Sequence, residues 1–415
     1  MITAYNREVS SDPSGLPPDL PPDILGRIPL FAELQKVLSW AGGPVNWDLA
    51  RQVAVAAAAA SGPQVVDPSV AAELSQDART AHLWISEATG IGDPGAVPPA
   101  RAVSAADWAE HACIAYREMI DPLAAKVAAA IGDQAGSALG EALGDDASAL
   151  PPGMDAGAIG AALKQMAPLF LGVQTGGVLG AVAKDVLGSR DLSIPPADGA
   201  PVIVVPAAIA ALAEEYHLDP REALMYVVLH ECAHRNIEET LPTFRSSFFA
   251  LFHDYVTSLS IDFSGAFERL QGLDFGNPAG VEEQLGSQGF FDLLDSPASS
   301  AAAGRLEHLI ALTEAFADRM VDAGAEGRLP SAARLAEAAA RHRSGAEGTA
   351  ALRQFMGVGA SDEAHRAAAR FMRAVLSDAG DHNGWNALNR MWEDSETMPT
   401  QSEIADHTSW LGRIR

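Results

Sequence analysis

Apolar and polar positions along the chain repeat mostly at helical spacing, and the places where that pattern fails mark its divisions. Residues 9 to 24, VSSDPSGLPPDLPPDI, carry too much Pro, Asp and Ser for helix or strand to propagate, so residues 1–42 read as a Pro-rich N-terminal tail or arm. From Gly43 onward the pattern turns helical. Asn46 can cap a run beginning at Trp47, and Ser104 can cap SAADWAEHACIAYREMI. A second Gly/Pro/Asp cluster at 144–157 reads as a loop or insertion closing an N-terminal helical part, 43–143. One segment, PVIVV at 201–205, has the Val/Ile content of a strand. The spacing predicts helices over 219–240 and 304–324, the second with Gly at both ends. Near the C-terminus Trp392, Pro399, Ile404, Trp410 and Leu411 alternate with acidic and turn residues, which predicts an extended arm pinning its aromatics to the surface. The expected fold is mainly α with little β structure.

The 415 residues hold 28 Lys and Arg against 54 Asp and Glu, a net charge of −26. Such a chain repels a phosphate backbone and an anionic membrane, and no basic run offsets this, so neither nucleic acid nor membrane is an expected partner. Its longest unbroken apolar run, Val53 to Ala60, is far below the roughly 18 residues of a spanning helix. The first residues lack the basic start and apolar segment of a secretory signal, so the expected location is cytoplasmic. Cys113 and Cys232 make neither a disulfide framework nor a CxxC pair. The glycines of 171–188 lack the phosphate-loop pattern and predict close helix packing instead.

Chemistry enters at DPREALMYVVLHECAHRNIEET, residues 219–240. Asp219 can cap this helix, Pro220 suits its first position, Glu222 completes a D-x-x-E box, and Pro242 ends it. Within it His230, Glu231 and His234 form HExxH. Four residues turn a helix by about 400°, so both imidazoles share one face and can grip one ion. Zinc suits two imidazoles plus a carboxylate, with a fourth position for water. Glu231, about 100° around the helix, is placed as the general base. The third ligand lies elsewhere, because Ile237 and Thr240 break the HExxHxxGxxH continuation. Glu314 on the 304–324 helix is the first candidate, with Asp318 one turn on, and Glu238, Glu239 and His253 are alternatives. His253, Tyr255 and His308 are candidate transition-state donors.

Here the chain resembles the gluzincins, whose second metal helix reads E-x-x-x-D, matched by Glu314-Ala-Phe-Ala-Asp318. The resemblance implies that Glu314 ligates zinc and that Asp318 accepts a hydrogen bond from a ligand imidazole. The 80 residues between His234 and Glu314 imply an insertion. Over residues 44–415 the chain is similar to the actinobacterial zincin-like metallopeptidase type 2 family. The match is carried by PVNWDLARQVA at 44–54, LGVQTGGVLG at 171–180, LHECAH at 229–234, TEAFAD, and the stretch at 392–414. That resemblance implies a mainly helical zincin-like domain over 43–415, with a metal-site core at 160–330 and C-terminal helices and arm at 331–415. It also implies one Zn2+ per chain and a cytoplasmic setting, with no known substrate. The expected activity is that of a zinc-dependent metallohydrolase, first a metallopeptidase, acting on a peptide or small amide. Its rivals are a zincin-derived binding or scaffold protein with a closed site and a non-peptide amidohydrolase in small-molecule or coenzyme metabolism. An open approach to the metal position separates the first from the scaffold.

Overall fold

The computed structural model describes residues 42–62, 65–143, 156–197, 199–240, 244–259, 301–357, 359–393 and 396–414. The expected N-terminal tail, nearly all of the 144–157 linker and most of the interval between His234 and Glu314 lie outside the described residues. Helices make up 75% and strand 2% of the structure, so the fold is mainly α, as the sequence pattern predicts.

In chain order the described elements begin with α1 (Trp47–Ala58), α2 (Pro68–Thr89), β1 (Ala100–Ala102), α3 (Ala105–Ala115), α4 (Arg117–Leu143) and α5 (Ala156–Asp185). The middle of the chain forms β2 (Val202–Val204), α6 (Pro206–Glu215), α7 (Pro220–Thr240), α8 (Phe244–Ser258) and α9 (Ala301–Ala325). Then come α10 (Ala332–Gly345), α11 (Glu347–Met356), α12 (Asp362–Ala379), α13 (Asp381–Arg390), α14 (Gln401–Ala405) and α15 (His407–Arg413). The capping residues act where the sequence puts them. Asn46 Oδ1 accepts the Leu49 N–H at 3.0 Å, and Ser104 forms a reciprocal capping box with Asp107. At the start of α7, Asp219 Oδ1 accepts the N–H groups of Arg221 and Glu222 at 2.8 and 3.0 Å. Glu222 does not close the expected box. Its carboxylate accepts the Ser331 N–H at 2.9 Å and so ties α7 to the approach of α10.

Glycines make one contact possible. Along α5, Gly172, Gly176 and Gly180 recur every four residues and lie against the backbone of Asn46, Ala50 and Ala54. A Cβ on Gly180 would sit 2.6 Å from the Ala57 Cβ, so α5 and α1 touch main chain to main chain. By length and composition Lys164–Asp185 could cross a membrane, its glycines and polar residues keeping each unbroken apolar run short; half of an 18-residue window within it is buried in the protein. The predicted strand forms as β2 and pairs in parallel with β1, Ala100 opposite Val202 and Ala102 opposite Val204. Gly304 and Gly324 do not terminate α9, which runs past both; Gly324 is instead where Ile85 and Leu229 close in.

The core that positions the site is the crossing of α7 and α9, flanked by α2, α6, α8 and α12. Residues 223–237 of α7 are all buried, including its charged ones, so this helix runs through the protein interior. The C-terminal stretch is not an extended arm. Thr400 forms a capping box with Glu403 that starts α14, and Asp406 caps α15. Its aromatics are buried as expected: Trp410 stacks edge-on with Phe371 at 5.1 Å and donates to the Thr397 carbonyl, while Trp392 packs on Phe316 and Phe244.

Candidate metal centre

On α7 the i,i+4 spacing brings the His230 and His234 rings to 4.7 Å between centroids, both buried. Where α9 crosses, Glu314 meets them. His230 Nε2 lies 3.2 Å from Glu314 Oε1, and His234 Nε2 lies 3.2 Å from Oε2. The potential ligand atoms of the three residues lie within 4.8 Å of one another. A tetrahedral zinc with bonds of about 2.0–2.1 Å has edges of about 3.3 Å between ligand atoms. The donor types and spacing therefore fit a zinc ion. None of the alternatives for the third ligand joins them: Glu238 pairs with Arg190, Glu239 with Arg235, and His253 is exposed.

Electrostatics bind the trio together without a metal. Burial pushes the His230 imidazole down, but the Glu314 charge and hydrogen bond more than offset it and bring its pKa up to about 8. Burial also opposes ionisation of Glu314, yet the Arg343 guanidinium and the two imidazoles hold its carboxyl well below the usual range. Arg343 Nη1 lies 3.2 Å from Glu314 Oε1. The Ser193 hydroxyl donates to Oε2, although Ser193 must adopt φ +52°, a left-handed conformation that costs a non-glycine residue about 1–2 kcal/mol.

Asp318, one turn beyond Glu314, contacts neither imidazole of the motif through a hydrogen bond. Its partners are Arg343, at 3.3 and 3.5 Å, and His365 Nε2, at 3.1 Å. The carboxylate next to a predicted ligand imidazole is Asp191, with Oδ1 3.9 Å from His230 Nδ1 and Oδ2 accepting the N–H groups of Leu187 and Gly188. Glu231 is fully buried. Its oxygens accept from Ser189 Oγ and Arg190 N, each at 2.7 Å, from Arg190 Nη1 at 3.1 Å and from Ile203 N at 3.4 Å. Arg190, also buried, divides its charge between Glu231 and Glu238. A Cβ on Gly188 would collide with the Glu231 carboxylate, so the loop packs against it as closely as glycine allows.

A cavity of about 370 Å³ opens beside the trio. Glu314, Asp191, Ser193, Arg343 and His365 are among its polar lining residues, and Phe248, Ile310 and Met356 are among the apolar ones. Glu231 lies behind the 188–193 loop and is not part of the wall. The predicted donor candidates are elsewhere: His253 is exposed, Tyr255 donates to the Met356 carbonyl, and His308 bonds the Pro399 carbonyl. Sequence pattern alone does not reveal Gly188–Ser193, Arg343 or His365 as parts of the site. The single signal for the loop is its position between α5 and the predicted strand, far from HExxH along the chain.

A family model described as zincin-like metallopeptidase matches residues 45–411. A solved structure from Chloroflexus aurantiacus, described as a candidate hydrolase with a novel fold, superposes with a TM-score of 0.60 at 19% identity. The likeness covers 89% of this chain and 98% of that one, and it is a likeness of fold. None of the curated proteins matches this sequence.

Proposed function

The chain belongs to the zincin-like metallopeptidase family, and from that premise we propose that it is a zinc-dependent hydrolase of amide bonds, with peptides as its first substrate class. One observation carries this reading: three side chains from α7 and α9 converge, both imidazole Nε2 atoms 3.2 Å from a Glu314 oxygen, and Glu314 lines an open cavity. That cavity favours the hydrolase over a scaffold with a closed site. His230, His234 and Glu314 would hold the ion, which when bound supplies Lewis-acid polarisation and a water of lowered pKa.

The chain's own residues supply the rest. Ser193 and Arg343 fix the two oxygens of Glu314, and Asp191 stands behind His230. Glu231 is the proton acceptor in this reading, under a condition set by its surroundings. One oxygen must exchange a present donor for the substrate water, and the Ser189 hydroxyl is the donor that can rotate away. Asp191 is the rival acceptor, because it lines the cavity and Glu231 does not. The apolar wall around Phe248 and Met356 suits an uncharged side chain next to the scissile bond.

A peptide-library turnover assay on wild type, Glu231→Gln and Asp191→Asn, with metal content measured on the same samples, tests the proposal. Turnover by wild type and its loss in Glu231→Gln with metal retained is the expected result. Loss in Asp191→Asn alone, in samples replenished with zinc and shown to hold it, reassigns the acceptor, and wild type carrying metal but cleaving neither peptides nor simple amides overturns the activity.

A further inference from the structure

One polar wall of the cavity has a construction that the metal trio does not require. Asp318 is fixed on α9 one turn past Glu314, and it holds two side chains from other helices at its oxygens. Arg343 reaches in from α10 and bridges Asp318 and Glu314, its side chain 19% exposed and lining the cavity. His365 reaches in from α12, its Nε2 bonded to Asp318 and its side chain 29% exposed on the same cavity. A protein of net charge −26 thus places an arginine and a histidine on one carboxylate, both lining the cavity along with Arg353 and Arg366, and the Arg343 guanidinium also contacts Glu314.

We propose that Arg343 and His365, oriented together by Asp318, form an oxyanion-binding site that takes the negative charge developing on the substrate carbonyl oxygen when water adds to the amide carbon. The inference deepens the hydrolase reading and rests on it. With Nε2–H given to Asp318, Nδ1 is the ring atom left for a ligand, and the Asp318 hydrogen bond favours the imidazolium, in which Nδ1 carries a proton. The guanidinium adds N–H groups beyond those facing the two carboxylates. Donors already fixed by a half-buried carboxylate need little reorganisation when charge appears, which is what makes such a site effective. Asp318 thereby acts as a positioning residue for both donors.

The rival explanation is that the His365–Asp318 pair merely ties α12 to α9. The test uses inorganic phosphate, a tetrahedral oxyanion, titrated calorimetrically into zinc-loaded full-length wild type, His365→Phe and His365→Gln, with zinc content measured on each sample. Wild type is expected to bind phosphate. His365→Phe should keep its zinc and bind phosphate about tenfold or more weakly, the scale of one charge-assisted hydrogen bond, with His365→Gln between the two. Unchanged phosphate affinity in zinc-replete His365→Phe overturns this inference alone, as do loss of zinc from that variant and absence of phosphate binding by zinc-loaded wild type. Wild type that takes up no stoichiometric zinc overturns the hydrolase reading and this inference with it.

Discussion

Glu231 carries two demands on one carboxylate. The proposed hydrolysis asks it to act as the base, while the fold uses it as the counter-charge of buried Arg190 and the acceptor for the 189–190 loop. Replacing it by Gln removes one of the two negative charges that compensate Arg190 and presents an amide NH2 to existing donors. We expect Glu231→Gln to lose about 3 kcal/mol of stability, measured by chemical denaturation, in addition to any loss of turnover. Equal stability of variant and wild type would contradict the network drawn here. At Asp191 and Ser193 the expected effect is on the metal. Asp191→Asn and Ser193→Ala should each weaken zinc binding by roughly 10- to 100-fold in a chelator competition, because both touch or flank a ligand from outside. Unchanged affinity in both would remove the loop from the site. The motif residues are legible in the sequence because one helix turn places them locally. Asp191, Ser193, Arg343 and His365 are not, since each meets the centre through tertiary packing that no local pattern encodes.

Among the elements, those with a local cause are readable. Asn46, Ser104 and Asp219 start their helices through side-chain acceptors that depend on the next three residues alone. The α5 glycines are readable as a packing surface, but the partner α1 is not. Gly176→Val should force α5 and α1 apart and cost about 1–3 kcal/mol or more in denaturation, whereas Val at Gly177, which has open space around its Cβ position, should cost about 1 kcal/mol or less. Similar losses at the two positions would contradict the close approach. Strand β1 escapes notice because Ala-Arg-Ala has no strand character of its own and is a strand through pairing with β2. The C-terminal stretch misleads for a related reason: its prolines and acidic residues suggest extended chain, but Thr400 with Glu403 and Asp406 nucleate two short helices that bury the same aromatics.

In the molecule as a whole, what holds the centre is charge brought together from residues 80 apart in the chain. Without metal the His230–Glu314 pair sets a pH window. His230, raised to about 8, contributes stability that is fully present below its ordinary value of 6.5 and lost as pH rises through about 8. Glu314, depressed, contributes stability that is present above its ordinary 4.5 and lost as pH falls well below it. Chelator-treated protein should therefore lose this contribution on either side of that range in denaturation curves taken against pH. Zinc must displace the His230 proton, so its affinity should rise with pH up to about 8 and flatten above. A pH-independent affinity would contradict the pairing. The most direct test of the centre itself is metal analysis of wild type and Glu314→Ala, purified without chelator. Wild type should carry about one equivalent of zinc and the variant far less. A wild type without stoichiometric metal, or a variant that holds it as tightly, would contradict the proposed centre.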